Sequence, residues 1–350
     1  MNMIDLRRDT ITLPDEAMRE EAFKAPLGDS VYGEDPKQEE LEEYAAALLG
    51  KDEAIFIPSG TMGNLTALLS HTRRGDEVIV EENAHIRTSE TGGAAVVGGL
   101  MIRTVRGEDG APEPEGVELA IRPDDIHQPP TTLICLENTH NRYGGIVVPL
   151  EKLQRIRTIA EKYRIPIHLD GARIFHAAVF LQVDVKEIAV YADSVMVSLS
   201  KGLGAPVGSV LCGSKDFIAK ARRFRKMLGG GMRQTGWLCA CGLVALSKPS
   251  IERLKTDHDN AWLLAKSLAG MPGISVDMER THTNSVVATL SEGRFDAPGF
   301  VEALEEQGVL ASCSGPNTVR FFAYRGISRE DIDSVIDRVG ELLGGKSKPG

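Results

Sequence analysis

The sequence predicts an α/β protein of two lobes, and three observations carry that prediction. Its 350 residues exceed the size at which one hydrophobic core usually stops growing. Short apolar, β-branched runs alternate with segments of helical spacing, which is the sign of a parallel or mixed sheet flanked by helices. Past Gly229-Gly230-Gly231 that alternation gives way to a different rhythm, with strands and helices mixed. The division falls near Asn260: residues 1–260 are read as the large lobe and residues 261–350 as a small α+β lobe.

The elements follow in chain order. Asp35 caps a helix, Pro36 occupies its first turn and Gly50 ends it. E-A-I-F-I-P-S-G is a short strand closing on Ser59-Gly60, and T-M-G-N-L-T-A-L-L-S-H opens a helix. Further strands are predicted over Glu77 to Val80, Thr132 to Glu137, Pro166 to Leu169, Ser194 to Leu199 and Gly208 to Gly213, with helical segments such as L-E-K-L-Q-R-I-R-T-I-A-E-K-Y between them. A long helical stretch from Leu238 to Leu268 leads into the small lobe. There, strands over Asn284 to Leu290, Val309 to Ser312 and Val319 to Phe322 accompany a helix over Pro298 to Gln307. The last helix starts at S-R-E-D, where Ser328 and Asp331 form a capping-box-like pair, and the tail G-G-K-S-K-P-G reads as frayed.

A formal net charge of -10 argues against nucleic acid or an anionic membrane as the main partner, because a phosphate footprint needs a basic surface. Hydrophobic residues at 42% and charged residues at 26% fit an ordinary soluble globular chain rather than a disordered one. Cys135, Cys212, Cys239, Cys241 and Cys313 include no C-x-x-C pair, and most sit in apolar segments. They read as reduced thiols of a cytoplasmic protein rather than as a disulfide framework. The N-terminus lacks the apolar core of a signal peptide, and no apolar run reaches the length of a membrane span.

The candidate chemistry begins at V-S-L-S-K-G-L-G-A-P-V-G-S, where Lys201 stands between an apolar run and a glycine-rich turn. Either its ammonium is simply solvated at a strand end, or it is desolvated among Leu199, Leu203 and small residues. Desolvation favours the neutral amine that carries a Schiff base. Thirty-one residues upstream, I-P-I-H-L-D-G-A-R puts Asp170 at the end of an apolar strand. It is either part of a common D-G turn or, at the carboxyl edge of a parallel sheet, a neighbour of Lys201 in the ligand crevice. In the second case the pair suits a pyridine cofactor, whose ring nitrogen a carboxylate keeps protonated. Ser59-Gly60-Thr61 follows a strand and opens a helix, which suits phosphate as well as it suits an ordinary cap. Neither G-x-G-x-x-G after the first strand nor G-x-x-x-x-G-K-[ST] occurs, against a dinucleotide or P-loop fold.

Several residues keep two readings. His85 in E-E-N-A-H-I, His127 in D-D-I-H-Q-P, and Asn138 and His140 in L-E-N-T-H-N are surface or site residues, a histidine at the site being able to exchange protons near neutral pH. Arg320 on the apolar strand N-T-V-R-F-F-A-Y either snorkels or captures a substrate carboxylate. The cations Lys220, Arg222, Arg223, Arg225, Lys226 and Arg233 form a solvated face, a subunit interface or a closure over phosphate.

In order along the chain, D-L-R-x-D-T, G-D-x-V-Y-G-E-D-P, P-S-G-T-M-G-N, L-E-N-T-H-N, H-L-D-G-A-R-I-F, L-S-K-G-L-G-A-P-V-G-S and G-G-G-M-R-Q-T-G resemble the low-specificity L-threonine aldolases from about Asp5 to Leu343. The resemblance implies the pyridoxal-phosphate fold type I of aspartate aminotransferase, with a mostly parallel seven-stranded sheet between helices in the large lobe. It implies pyridoxal 5'-phosphate on Lys201, Asp170 on the pyridinium nitrogen, Gly60 and Thr61 (with Ser59) on the phosphate, and His85 stacked on the ring. Arg173 and Arg320 would bind the substrate carboxylate, and Asn138 would lie near the cofactor. Tyr32 and Arg233 resemble residues contributed across a subunit interface, which implies a homotetramer built from dimers. No metal is called for.

The implied activity is that of an aldehyde-lyase, cleaving L-threonine, L-allo-threonine and related β-hydroxy-α-amino acids to glycine and an aldehyde, with the reverse addition. His85, His127 or a water takes the β-hydroxyl proton. The same site could run β-elimination or racemisation; a non-catalytic binding protein on this fold is expected to lack the lysine or the aspartate. Arg8 stands where the resembling family carries a serine that helps bind the substrate carboxylate, which bears on substrate choice, and F-F-A-Y replaces a histidine-containing turn.

Overall fold

The computed structural model describes residues 3–108, 110–293 and 295–344. In chain order its strands are β1 (Ile4–Asp5), β2 (Glu53–Ile57), β3 (Glu77–Glu81), β4 (Met101–Val105), β5 (Thr131–Glu137), β6 (Ile167–Asp170), β7 (Ser194–Ser198), β8 (Ser209–Gly213), β9 (Ile274–Val276), β10 (Ser285–Leu290), β11 (Val309–Leu310), β12 (Ser312–Gly315) and β13 (Thr318–Phe322). A seven-stranded sheet runs in the order β2-β8-β7-β6-β5-β3-β4. Only β8 is antiparallel to its neighbours, β2 and β7; the other pairs are parallel. The fold class is therefore the expected α/β, with a mostly parallel sheet. Every residue of β3, β6, β7 and β8 is buried, because helices cover both faces, and that is why these strands read as continuous apolar runs.

The helix caps follow the local sequence. Asp35 accepts from the Gln38 amide, Pro36 opens helix Pro36–Leu49, and Gly50 closes it at a φ of 65°. Ser328 and Asp331 bond reciprocally at the start of the last helix, Arg329–Gly344. A four-stranded sheet, β12-β13-β10-β9, carries the small lobe against helices Leu254–Ala269, Ala297–Glu306 and Arg329–Gly344.

Two features differ from the sequence reading. The long helix expected over Leu238 to Leu268 is three helices, Gly236–Ala245, Lys248–Glu252 and Leu254–Ala269. Ser247 caps the second and Pro249, with no N–H to give, sits in its first turn, so the first helix cannot run through. The strand expected over Val309 to Ser312 is split: β11 pairs with β1, while β12 turns into a hairpin with β13. The N-terminal Ile4 and Leu6 thereby pack into the small-lobe core with Phe300, Phe321 and Val335. The boundary expected at residue 260 falls inside helix Leu254–Ala269. Of the tail read as frayed, residues 345–350 lie outside the described residues.

Candidate active site

The segments that carry site residues meet at one sheet edge. Strands β3, β5, β6 and β7 are parallel, and His85, Glu137, Asp170 and Lys201 stand at or just past their carboxyl ends. Since β8 is antiparallel, its leading residues Pro206 to Gly208 return to the same edge, as do Ser59 and Gly60 after β2. A cavity of about 310 Å³ opens there. It is lined by Ser59, Gly60, Thr61, Asn64, His85, Glu137, Asp170, Arg173 and Lys201, among others. Ligand crevices of open α/β sheets lie at this edge.

Helix Gly60–His71 points its first turn into the cavity, with Ser59 as its cap, accepting from the Met62 amide at 3.2 Å. The close seating of this helix depends on glycine, because a Cβ at Gly63 would stand 2.7 Å from Met196 Cγ. The buried Ser209 Oγ, near Gly60, has no hydrogen-bond partner among the described residues. A helix N-terminus with free N–H groups and a spare hydroxyl is a seat for an anion.

Across the cavity lies Asp170, almost fully buried. Its carboxylate accepts from the Ala172 amide at 3.1 Å and from Asn64 Nδ2 at 2.8 Å. Asn64 Nδ2 also donates to Glu90 at 2.7 Å, and Glu90 meets His85 Nδ1 at 2.8 Å. The ring nitrogen of His85 and the carboxylate oxygens of Glu90 and Asp170 all lie within 4.8 Å of one another. Hydrogen bonding to Glu90 raises the His85 pKa above its ordinary value, against the opposing effect of burial. Burial raises that of Glu90, and the nearby Asp170 charge adds to the effect.

Lys201 follows β7, next to Asp170 on β6, and its amine makes no hydrogen bond or ion pair among the described residues. Burial lowers its pKa, and Arg173 adds to that, against Asp170, Asp9 and Glu137. Arg173 is buried and gives two N–H groups to Asp9, Nε to Oδ2 and Nη2 to Oδ1, both at 2.7 Å. Its remaining nitrogen, Nη1, lies 3.5 Å from Asn141 Oδ1. Arg320 donates Nη1 to the Asn141 carbonyl at 3.2 Å, while its buried Nε has no partner among the described residues. Both guanidiniums lie over the Phe322 ring, Arg320 at 4.9 Å and Arg173 at 5.4 Å. The two cations thus converge, and among the described residues only Arg173 has a carboxylate of its own.

Other residues singled out in the sequence lie elsewhere. Asn138 is fully buried behind the cavity, its side chain bonded to the Val148 backbone. His140 is buried against Glu81 at 3.0 Å. His127 is exposed on the loop before β5. Arg8 is exposed next to the buried Asp9, and among the described residues its side chain makes no hydrogen bond or ion pair. Tyr32 is 74% exposed and carries Arg233 over its ring at 5.9 Å, while Arg233 pairs with Asp29 at 2.8 Å. The cations Arg222 and Arg225 line a separate groove of about 650 Å³ with Asp35, Gln38 and Glu42, where Arg222 pairs with Glu42.

Sequence reasoning missed Asp9, Asn64, Glu90 and Glu137. Asp9 is the second aspartate of D-L-R-R-D-T, and its only local signal is that it lies in a motif already singled out. Asn64 lies one turn past Gly60 on the helix face that meets the sheet, so helical spacing from the phosphate candidate was the available signal.

The family model described as beta-eliminating lyase matches residues 5–292. The low-specificity L-threonine aldolase of Escherichia coli K12 is 45% identical over 334 residues, covering 95% of this chain and 97% of that protein. Low-specificity L-threonine aldolase 1 of Arabidopsis thaliana is 44% identical over 337 residues, covering 95% and 94%. Among solved structures, the threonine aldolase of Leishmania major superposes with a TM-score of 0.85 at 19% identity, covering 97% of this chain and 99% of that one. The serine palmitoyltransferase of Sphingomonas wittichii does so with a TM-score of 0.76 at 16% identity, covering 97% and 86%. At those identities the shared property is the fold, which hosts more than one chemistry.

Proposed function

Because this chain belongs to the beta-eliminating lyase family, we propose that it is a pyridoxal-phosphate-dependent aldehyde-lyase acting on L-threonine, L-allo-threonine and related β-hydroxy-α-amino acids. The observation that carries this reading is the Lys201 amine, unpartnered among the described residues, facing the same 310 Å³ cavity as Asp170 and the first turn of helix Gly60–His71.

The residues fit the cofactor. Gly60 and Thr61 would offer backbone N–H groups to its phosphate, Asp170 a carboxylate for its ring nitrogen and Lys201 an amine for its aldehyde. When bound, pyridoxal phosphate supplies an electrophilic carbon for an amine and a pyridinium ring that accepts the electron pair of a bond breaking at Cα.

The chain's own side chains do the rest. Arg320, which donates to the carbonyl of cavity-lining Asn141 and has no carboxylate partner among the described residues, orients the amino acid through its carboxylate. Arg173 contributes mainly its charge, since Asp9 occupies two of its N–H groups. His85, with Nδ1 held by Glu90, presents Nε2 to the cavity and takes the β-hydroxyl proton as Cα–Cβ breaks. A proton returned at Cα completes glycine, and the former β-carbon leaves as the aldehyde. The depressed proton affinity of Lys201 keeps its amine available to take and give protons near Cα.

Tyr32 and Arg233 are assigned to a neighbouring subunit's site in a cytoplasmic homotetramer of dimers. The support is their exposure here, together with the exposed Leu13, Phe23 and Trp237 on elements around the Tyr32–Arg233 contact. The four buried, unpaired cysteines and the free Cys313 suit a reducing compartment.

Product analysis tests the reading. With cofactor and L-threonine, the protein is expected to yield glycine and acetaldehyde in equal amounts. Ammonia and a keto acid would instead assign it to β-elimination, and a change of stereochemistry alone would make it a racemase.

A further inference from the structure

The Asn64 side chain bonds three polar groups, Glu90 and, from β6, His168 and Asp170. It is 1% exposed on helix Gly60–His71. Its amide nitrogen donates to Asp170 at 2.8 Å and to Glu90 at 2.7 Å, and its carbonyl oxygen lies 3.1 Å from His168 Nε2. Two carboxylates accept and a carbonyl cannot donate, so the amide has one orientation: both N–H bonds toward the acids, the oxygen toward His168. His168 must then donate through Nε2, which leaves Nδ1 to accept from the Ser194 hydroxyl at 2.9 Å. The Ser194 oxygen in turn accepts from His71 Nε2 at 2.8 Å. Burial drives the pKa of His168 down to about 3 and that of His71 down to about 4. Both rings are therefore neutral near pH 7, so this chain of donors holds a shape and adds no charge to the site.

We propose that Asn64 is a positioning residue that fixes Asp170, the carboxylate that would serve the cofactor's ring nitrogen, and Glu90 against His85 at once, with His168, Ser194 and His71 locking its amide. One neutral side chain then sets both the electron sink and the proton-handling histidine. An acid in its place would add a third negative charge to the cluster, and an apolar residue would leave two buried carboxylates each short of a donor. This rests on the pyridoxal-phosphate reading of the cavity.

The groups that face His85 are Glu90, Asp170 and Glu137, and those that face Asp170 include Lys201 and Arg173. All are retained in Asn64→Leu, which removes only the amide. Without its donor Glu90 ionises less readily and grips the His85 proton less. The His85 titration midpoint, read from ring ¹⁵N shifts of the full chain, is expected to fall by about half a pH unit or more. The dissociation constant for pyridoxal phosphate is expected to rise about tenfold, because Asp170 is no longer held.

His168→Phe, which keeps a ring and removes the Nε2 donor, is expected to move both quantities in the same directions by a smaller amount, and it serves if Asn64→Leu does not fold. Unchanged values of both, or a change in cofactor affinity with an unmoved His85 midpoint, would overturn the proposal. If the wild-type protein takes up no pyridoxal phosphate, the functional reading fails, and the His85 midpoint still reads the role of Asn64.

Discussion

Asp9 holds Arg173 in a two-pronged contact, with both N···O distances at 2.7 Å, from a position without solvent exposure. Burial would raise the Asp9 pKa, but the Arg173 guanidinium more than offsets it and keeps the carboxyl well below the usual carboxylate range. A depressed folded-state pKa contributes stability above the unfolded value of about 3.9 and loses it as pH falls below that. Asp9→Asn strands a buried cation, so urea denaturation at pH 7 is expected to show a loss of about 3–5 kcal/mol. That deficit should shrink as the comparison is repeated toward pH 3.

The pH dependence of catalysis follows from His85. A base must be neutral to accept a proton, so kcat/KM for threonine should rise with pH through a midpoint above the ordinary histidine value, because Glu90 raises it. Glu90→Gln removes that carboxylate, and the midpoint should move to lower pH. His85→Asn should lower kcat by about 10²-fold or more.

Arg320 has a free buried Nε and no carboxylate partner among the described residues, whereas Arg173 has Asp9. Arg320→Lys keeps the charge and loses the planar fork. Its KM for threonine should rise about tenfold or more, with a smaller change in kcat, as measured by initial rates of aldehyde release.

Arg8, where the sequence resemblance implies a serine, is exposed and unpaired among the described residues. Arg8→Ser should therefore leave kcat/KM for threonine, phenylserine and hydroxyaspartate within about twofold of the native values. A selective loss on hydroxyaspartate would show that Arg8 contacts the substrate.

Much of this site was legible because its parts sit at ends of buried strands. Asp170 ends β6 and Lys201 follows β7, and a run of apolar residues closing on a polar one marks such an end without any knowledge of the pairing. Asn64, Glu90 and His168 left no comparable mark. Asn64 meets Asp170 across 106 residues and His168 across 104, so their partnership exists only once the sheet order is set. Strand β4 escaped for a different reason: as an edge strand it is buried only at Val105, so Met101 to Thr104 show no apolar run. The pairing of β1 with β11 joins two-residue strands some three hundred positions apart, too short to carry a pattern.

The central claim is that Lys201 carries the cofactor, and visible absorbance tests it most directly. The purified protein with pyridoxal phosphate should show an absorbance band distinct from free cofactor. That band should change on addition of glycine and be absent in Lys201→Ala. An unchanged band in Lys201→Ala, or no band in the wild-type protein, would contradict the account.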